Sequence, residues 1–153
     1  MAVKALLKMN YLEIIAKLPY SKPFLFVDEI LQIDENGVTG SYHFKTDLDF
    51  YKGHFNKYPV TPGVILTETM AQIGVVCLGI YLIGEEFDEN SRVALTSTEI
   101  EFLKPVFPNE TVIVKSEKTY FRFGKLKCSV VMKNESGDEV CSGFIAGIIS
   151  KKQ

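Results

Sequence analysis

The chain alternates between segments whose apolar residues have helical spacing and segments with the two-residue spacing of β-strands. Asn10 is a residue type that caps helices, and it precedes a short amphipathic segment that ends near Lys17. Further on, two β-rich runs, Glu29–Ile33 and Val38–Phe44, flank the sequence Asp34-Glu-Asn-Gly37. Asparagine and glycine at that position favour a tight turn, so this part of the chain predicts a β-hairpin.

A long helix is predicted after the polar and aromatic loop that follows the hairpin. Thr61 is a good N-cap, and Pro62 fits the first helical position, where its missing N–H costs nothing. The apolar pattern continues to about Ile83, and Gly84 can close the helix in the left-handed conformation. Glu68 is the one charged residue in this segment. A helix that is apolar on every side is expected to be surrounded by protein.

Neither hydrophobic stretch of the chain predicts a membrane span or a secretion signal. The uninterrupted apolar run Ile73–Ile83 is about half the length that a bilayer requires. Polar residues break the apolar run within Met1–Leu18, and no small-residue cleavage site follows it. The expected location is therefore the cytoplasm.

The second half of the chain is rich in β-branched and aromatic residues that are separated by turn sequences. We predict four strands there: Arg92–Leu103, Thr111–Phe121, Lys125–Lys133 and Glu139–Ser150. Together with the hairpin they predict a single α+β domain over residues 1–153, with one long helix wrapped by a curved antiparallel sheet. Such a sheet leaves an edge strand exposed, and a homodimer that joins two sheets would cover it.

Composition narrows the functional classes only slightly. The formal net charge of −2 argues against nucleic acid as a partner. The three cysteines include no Cys-x-x-Cys pair, so we expect buried free thiols in a reducing compartment, and no metal site.

Three features that can carry chemistry fall within fifteen residues. His54 follows a glycine in the loop, and histidine is the side chain best suited to accept a proton near neutral pH. Gly63 and Val64 begin the long helix, where their N–H groups can stabilise negative charge on a carbonyl oxygen. Burial should keep Glu68 protonated, as a general acid requires, and Gln72 one turn later can hydrogen-bond it.

Each feature also has an ordinary structural explanation. A histidine can be a loop or core residue, a helix must begin somewhere, and a lone glutamate can be satisfied by a backbone group. We interpret His43, between two aromatic residues of a strand, as structural. Glu68 lies about 9 Å along the helix from its start, which is far from Gly63 for one compact site. A second copy of the helix could supply the glutamate, so the site is predicted to be shared between subunits.

These residues resemble the motifs of the FabZ-type 3-hydroxyacyl-acyl-carrier-protein dehydratases. Leu18–Asp28 is similar to the opening motif of that family. Gly53-His54-Phe55, followed by Pro59–Val64 and then Glu68–Gln72, is similar to its active-site motif. A segment from Phe102 resembles the next family strand and turn. The similarity extends over nearly the whole chain from residue 18.

The resemblance implies a hot-dog fold, a homodimer that can assemble into a trimer of dimers, sites at the dimer interface and no cofactor. It assigns His54 as the base that removes the C2 proton and Glu68 of the other subunit as the acid that protonates the 3-hydroxyl. Gly63 and the following amide would bind the thioester carbonyl. Phe55 and Gln72 are expected to contact the substrate as well. The apolar tunnel for the acyl tail would be lined by Val64, Ile65 and Val75.

Two positions depart from the family pattern. Tyr20-Ser21 stands where the family has His-Arg, and Asn56 follows the Gly-His-Phe motif where a proline is usual. Neither falls on the inferred base, acid or oxyanion donors, and both leave room for a specialised pathway such as polyene or pigment synthesis. The expected partner is an acidic acyl carrier protein, with a basic rim as its docking surface. The candidates for this rim are Lys115, Lys118, Arg122, Lys125 and Lys127.

Two alternative functions remain at this point. One is a hot-dog thioesterase in which Glu68 activates water. The other is a non-catalytic acyl-thioester-binding subunit.

Overall fold

The computed structural model describes residues 10–152. A short helix α1 precedes a hairpin of strands β1 and β2, a long central helix follows, and four strands complete the chain. The bounds are α1 Tyr11–Lys17, β1 Glu29–Asp34, β2 Gly37–His43, α2 Gly63–Ala71, α3 Cys77–Ile83, β3 Ser91–Phe102, β4 Thr111–Arg122, β5 Lys125–Asn134 and β6 Glu139–Lys151. Every strand lies within one residue of its predicted bounds. The part of Met1–Leu18 before residue 10 lies outside the described residues.

The six strands form one antiparallel sheet in the order β1-β2-β4-β5-β6-β3. The hairpin turn between β1 and β2 is held by the Asp34 carboxylate, whose Oδ1 accepts the N–H groups of Asn36 and Gly37. Buried residues alternate along β4 and β5, so one face of the sheet packs on the central helix. Strand β3 pairs with β6 at the edge of the sheet, and most of its residues are exposed.

The central helix consists of α2, a π-helical turn over Gln72–Val76, and α3. The segment Gly63–Glu86 is apolar enough to cross a bilayer, but 72% of the most apolar window is buried within the protein. The predicted buried core helix is therefore confirmed. The π turn was not predicted from the sequence. It leaves the Gly74 carbonyl to accept the buried Ser116 hydroxyl of β4, at 2.8 Å.

Both predicted ends of the central helix need correction. Thr61 is not its N-cap: Pro62 occupies that position, and no side chain of residues 10–152 caps the helix. The Thr61 hydroxyl is instead hydrogen-bonded to the buried hydroxyl of Tyr51. At the other end Gly84 has the positive φ that was predicted, 72°, but its ψ of −137° lies outside the left-handed helical region.

Two other local predictions are confirmed. The Asn10 side chain accepts the Glu13 N–H and caps α1. Cys77, Cys128 and Cys141 are free and buried, and burial raises the pKa of each thiol, to between about 11 and about 12. Such thiols are unreactive at neutral pH.

Candidate active site

Gly53 connects a 3-10 turn, Asp49–Lys52, to His54, and the His54 ring is fixed by the backbone of Val60. The His54 Nδ1 is 2.8 Å from the Val60 carbonyl oxygen, and the Val60 N–H donates back to the His54 carbonyl. Because a carbonyl oxygen can only accept, Nδ1 carries the proton in the neutral ring. The Nε2 lone pair has no partner among residues 10–152 and can accept a proton.

His43 shows the opposite arrangement. Its Nδ1 is 2.8 Å from the Thr111 hydroxyl, and its Nε2 is 3.1 Å from the Asn109 side-chain oxygen. Both ring nitrogens are engaged by neighbouring side chains, as the structural interpretation requires.

The start of the central helix offers free donors. Within the described part of the chain, the N–H groups of Gly63 and Val64 meet no acceptor, and the helix bonds begin at Ile65, whose N–H donates to the Pro62 carbonyl. A Cβ at Gly63 would stand 3.3 Å from the ring of Phe102. The glycine therefore lets the Phe102 ring lie directly against the backbone.

Glu68 is half-buried and is held by Gln72, as predicted. The Gln72 Nε2 donates to Glu68 Oε2 at 2.9 Å and also to the Phe24 carbonyl, while the Gln72 Oε1 accepts the Phe26 N–H. These bonds fix the orientation of the fully buried amide. Burial raises the pKa of Glu68 above its ordinary value, and the Gln72 hydrogen bond partly offsets this. Since Oε2 acts as acceptor, the proton of the acid form is on Oε1.

Glu68 borders an apolar cavity of about 290 Å³ between the central helix and strands β3 and β6. The cavity is lined by Tyr20, Phe24, Glu68, Ala71, Val75, Val76, Val93, Ala94, Leu95, Leu126, Gly147, Ile148 and Ile149. Of the three predicted tunnel residues only Val75 is among them. Val64 is 76% exposed, since it lies on the outer side of the first helical turn. The described lining includes neither His54 nor Gly63, so a single chain does not bring base and acid into one cavity.

Exposed apolar side chains surround the His54 loop and the helix start. Phe55 is 53% exposed and stacks on His54, with ring centroids 3.8 Å apart. Tyr58 packs edge-on against Phe107, and Phe102 is half-exposed beside Gly63. An exposed apolar surface of this kind is typical of an interface.

Comparison with known proteins places this constellation in a family. Residues 18–141 match the family model of the FabA-like domain. A 3-hydroxyacyl-acyl-carrier-protein dehydratase FabZ of Clostridium perfringens is 35% identical over 141 residues, which cover 90% of this chain and 96% of that protein. The chain is a FabZ-type member of the FabA-like family.

Solved structures show the hot-dog fold of this FabZ-type chain. The dehydratase heterocomplex ApeI:P from Xenorhabdus doucetiae matches with a TM-score of 0.77 at 14% identity, over 94% of each chain. A hypothetical thioesterase with coenzyme A from Streptococcus pneumoniae TIGR4 matches with a TM-score of 0.61 at 17% identity, over 82% of this chain and 87% of that one. At these identities the likeness concerns the fold alone.

One departure from the FabZ pattern lies closer to the site than the sequence indicated. Tyr20 lines the same cavity as Glu68. Burial and, second, the charge of Glu68 raise the pKa of Tyr20, so the phenol stays neutral. The change at Tyr20 therefore alters the surroundings of the acid, although it does not replace the acid itself. The replacement of the usual histidine was the signal that could have indicated it.

Proposed function

We propose that this chain removes water from a 3-hydroxyacyl chain on acyl carrier protein to give the trans-2-enoyl product, in fatty acid synthesis or a related lipid or polyene pathway. The observation that carries the proposal is the combination of an unpartnered ring nitrogen and a half-buried carboxyl group. Among residues 10–152 the His54 Nε2 has no partner and can accept a proton, and burial raises the pKa of Glu68, which favours its protonated form.

The reaction follows from these groups. His54 Nε2 takes the C2 proton while the thioester oxygen gains negative charge, which the N–H groups of Gly63 and Val64 stabilise. Glu68 Oε1 gives its proton to the 3-hydroxyl, the C3–O bond breaks, and the C2 electron pair forms the double bond. Water leaves, and proton exchange with solvent restores neutral His54 and protonated Glu68. Phe55 borders the reacting atoms through its stack on His54, and the cavity beside Val75 holds the acyl tail.

A homodimer with shared sites is part of the proposal. His54 and Glu68 border different surfaces of one chain, and β3 is an exposed edge strand. Exposed apolar residues lie beside both the His54 loop and the helix start. A second copy placed on these surfaces would cover them and could bring its Glu68 to the first copy's His54. Such dimers could associate further into a trimer of dimers.

The acyl carrier protein would dock on the outward face of β4 and β5. The five predicted basic residues belong to these two strands, with the Arg122 guanidinium over the Tyr120 ring and the Lys127 ammonium over the Phe144 ring. Binding to an acidic carrier should therefore weaken as salt is raised. Salt-independent binding would contradict this docking surface.

We further propose a cytoplasmic location and a single domain over residues 1–153.

The test is formation of enoyl thioester from a 3-hydroxyacyl thioester, followed by its ultraviolet absorbance. We expect His54→Ala and Glu68→Gln each to lower turnover by roughly 10²- to 10⁴-fold, the usual contribution of a general acid or base. The control is His43→Gln, which removes the other histidine and should retain activity.

The same assay separates the alternatives. Release of free thiol without enoyl absorbance would identify a thioesterase. Binding of the thioester without turnover would identify a non-catalytic subunit. Wild-type turnover in both catalytic variants would contradict the assignment of base and acid.

A further inference from the structure

A buried hydrogen bond joins the loop that carries His54 to the segment that begins the central helix. The Tyr51 hydroxyl is 2.6 Å from the Thr61 hydroxyl, and the two residues are 6% and 4% exposed. Neither residue belongs to the proposed acid, base or oxyanion donors. Burial raises the pKa of Tyr51, so the phenol remains protonated and the bond persists at neutral and mildly alkaline pH.

The bond prevents the Thr61 hydroxyl from competing with a ligand for the N–H groups at the start of the helix. A threonine hydroxyl commonly accepts the backbone N–H two residues further on, and that N–H is here the one of Gly63. This tendency is also why the sequence predicted Thr61 as a cap. In the structure the Thr61 hydroxyl is hydrogen-bonded to Tyr51, and no side chain in the described part of the chain caps the helix. Among the residues that the structure describes, none occupies the Gly63 and Val64 N–H groups, which remain available to a ligand.

We propose that Tyr51 is a positioning residue that keeps the N-terminus of the central helix open by holding the Thr61 hydroxyl away from the Gly63 N–H. The inference rests on the proposed function, in which that N–H stabilises the developing oxyanion. When the bond is lost, the freed hydroxyl rotates onto Gly63 and competes with the thioester carbonyl. The hydroxyl of Thr61 is then the cause of the defect, and its removal restores the site.

Four variants of the full chain test this mechanism: Tyr51→Phe, Thr61→Val, the double variant, and Tyr42→Phe as control. Tyr51→Phe should lower kcat/KM roughly tenfold, a fraction of the effect of losing an oxyanion donor outright. Thr61→Val has no hydroxyl to compete and should stay near the wild-type value. The double variant should recover most of the activity that Tyr51→Phe loses. Tyr42 is also a buried tyrosine, and Tyr42→Phe leaves the Tyr51–Thr61 bond intact.

Amide hydrogen exchange at Gly63, measured by NMR without substrate, supplies a readout that does not depend on turnover. We expect slower exchange in Tyr51→Phe, where the N–H gains an acceptor, and wild-type exchange in the other three variants. If Thr61→Val is as inactive as Tyr51→Phe and the double variant is no better, the bond is merely structural and the inference is wrong. Unchanged Gly63 exchange in Tyr51→Phe would also overturn it. Failure of the proposed function looks different, because the wild-type chain would then form no enoyl product.

Discussion

At the scale of single residues, the properties of the site depend on the hydrogen-bond partner of each polar group. The two histidines differ in this respect: one ring nitrogen of His54 has no partner among residues 10–152, whereas both ring nitrogens of His43 are engaged. The Gly-His-Phe motif allowed His54 to be singled out from the sequence, and the four-residue spacing predicted the Gln72–Glu68 bond. The prediction that Thr61 caps the central helix was wrong for a non-local reason. The partner of its hydroxyl, Tyr51, lies ten residues earlier, and helix-cap rules consider only neighbours on the helix.

The raised pKa of Glu68 predicts a pH-dependent effect on stability. Because burial raises this pKa above the ordinary 4.5, the folded chain binds the proton more tightly than the unfolded chain does. The stabilisation is complete below 4.5 and is lost as the pH rises through the folded-state pKa. Glu68→Gln keeps the shape without the charge. Its melting temperature relative to wild type should therefore increase between about pH 4 and about pH 7.

Thermal unfolding of wild type and Glu68→Gln at these two pH values measures the difference in melting temperature. Glu85→Gln, at an exposed position after the helix, is the matched control and should show no such trend. A constant difference between wild type and Glu68→Gln would mean that burial does not affect the ionisation of Glu68.

At the scale of elements, apolar periodicity was sufficient for the strands and for the extent of the central helix. Buried residues alternate along most of β4 and β5, and the turns between the strands contain glycine, asparagine or proline. The π turn could not be predicted in this way, because its side-chain partner is Ser116 on β4. A hydrogen bond between residues forty-two positions apart cannot be recognised from the local sequence pattern around Gly74. Substitution of this glycine should nevertheless change the stability of the protein.

Two buried glycines of the central helix should respond differently to alanine. A Cβ at Gly74 would lie 3.0 Å from Ser116 Cβ and 3.2 Å from a Val130 methyl group, and the Ser116 side chain is held by its hydrogen bond. At Gly79 the Cβ would come closer, 2.5 Å from the Cδ1 of Ile149, but this atom is the end of a flexible side chain and can rotate away. Both substitutions replace a glycine inside the central helix by a better helix former. Gly74→Ala should therefore be less stable than Gly79→Ala by about 1–3 kcal/mol.

Urea unfolding of the two variants and the wild type gives the comparison directly. Equal stability of Gly74→Ala and Gly79→Ala would show that β4 and β5 can move away from the helix without cost.

At the scale of the whole molecule, the fold leaves surfaces that a single chain does not cover. The long helix is enclosed by its own sheet at Gln72–Ile80, where every residue is buried, but its first turn is not. Val64 is exposed there, and Phe102 and Leu103 at the end of the edge strand are half-exposed. The sequence predicted an uncovered edge from the number and length of the strands. The residues that border this edge could not be predicted, because they depend on the strand order, in which β3 returns to pair with β6.

Complementation between inactive variants tests whether these surfaces join two copies into shared sites. A dimer of one His54→Ala chain and one Glu68→Gln chain has one site that lacks both groups and one site with both intact. Since half of the dimers in a statistical mixture are of this kind, co-expression should restore about a quarter of the wild-type activity. The separately purified variants, combined just before the assay, are the control and should remain inactive. If base and acid came from the same chain, every site in the co-expressed mixture would lack one of them, and no activity would return.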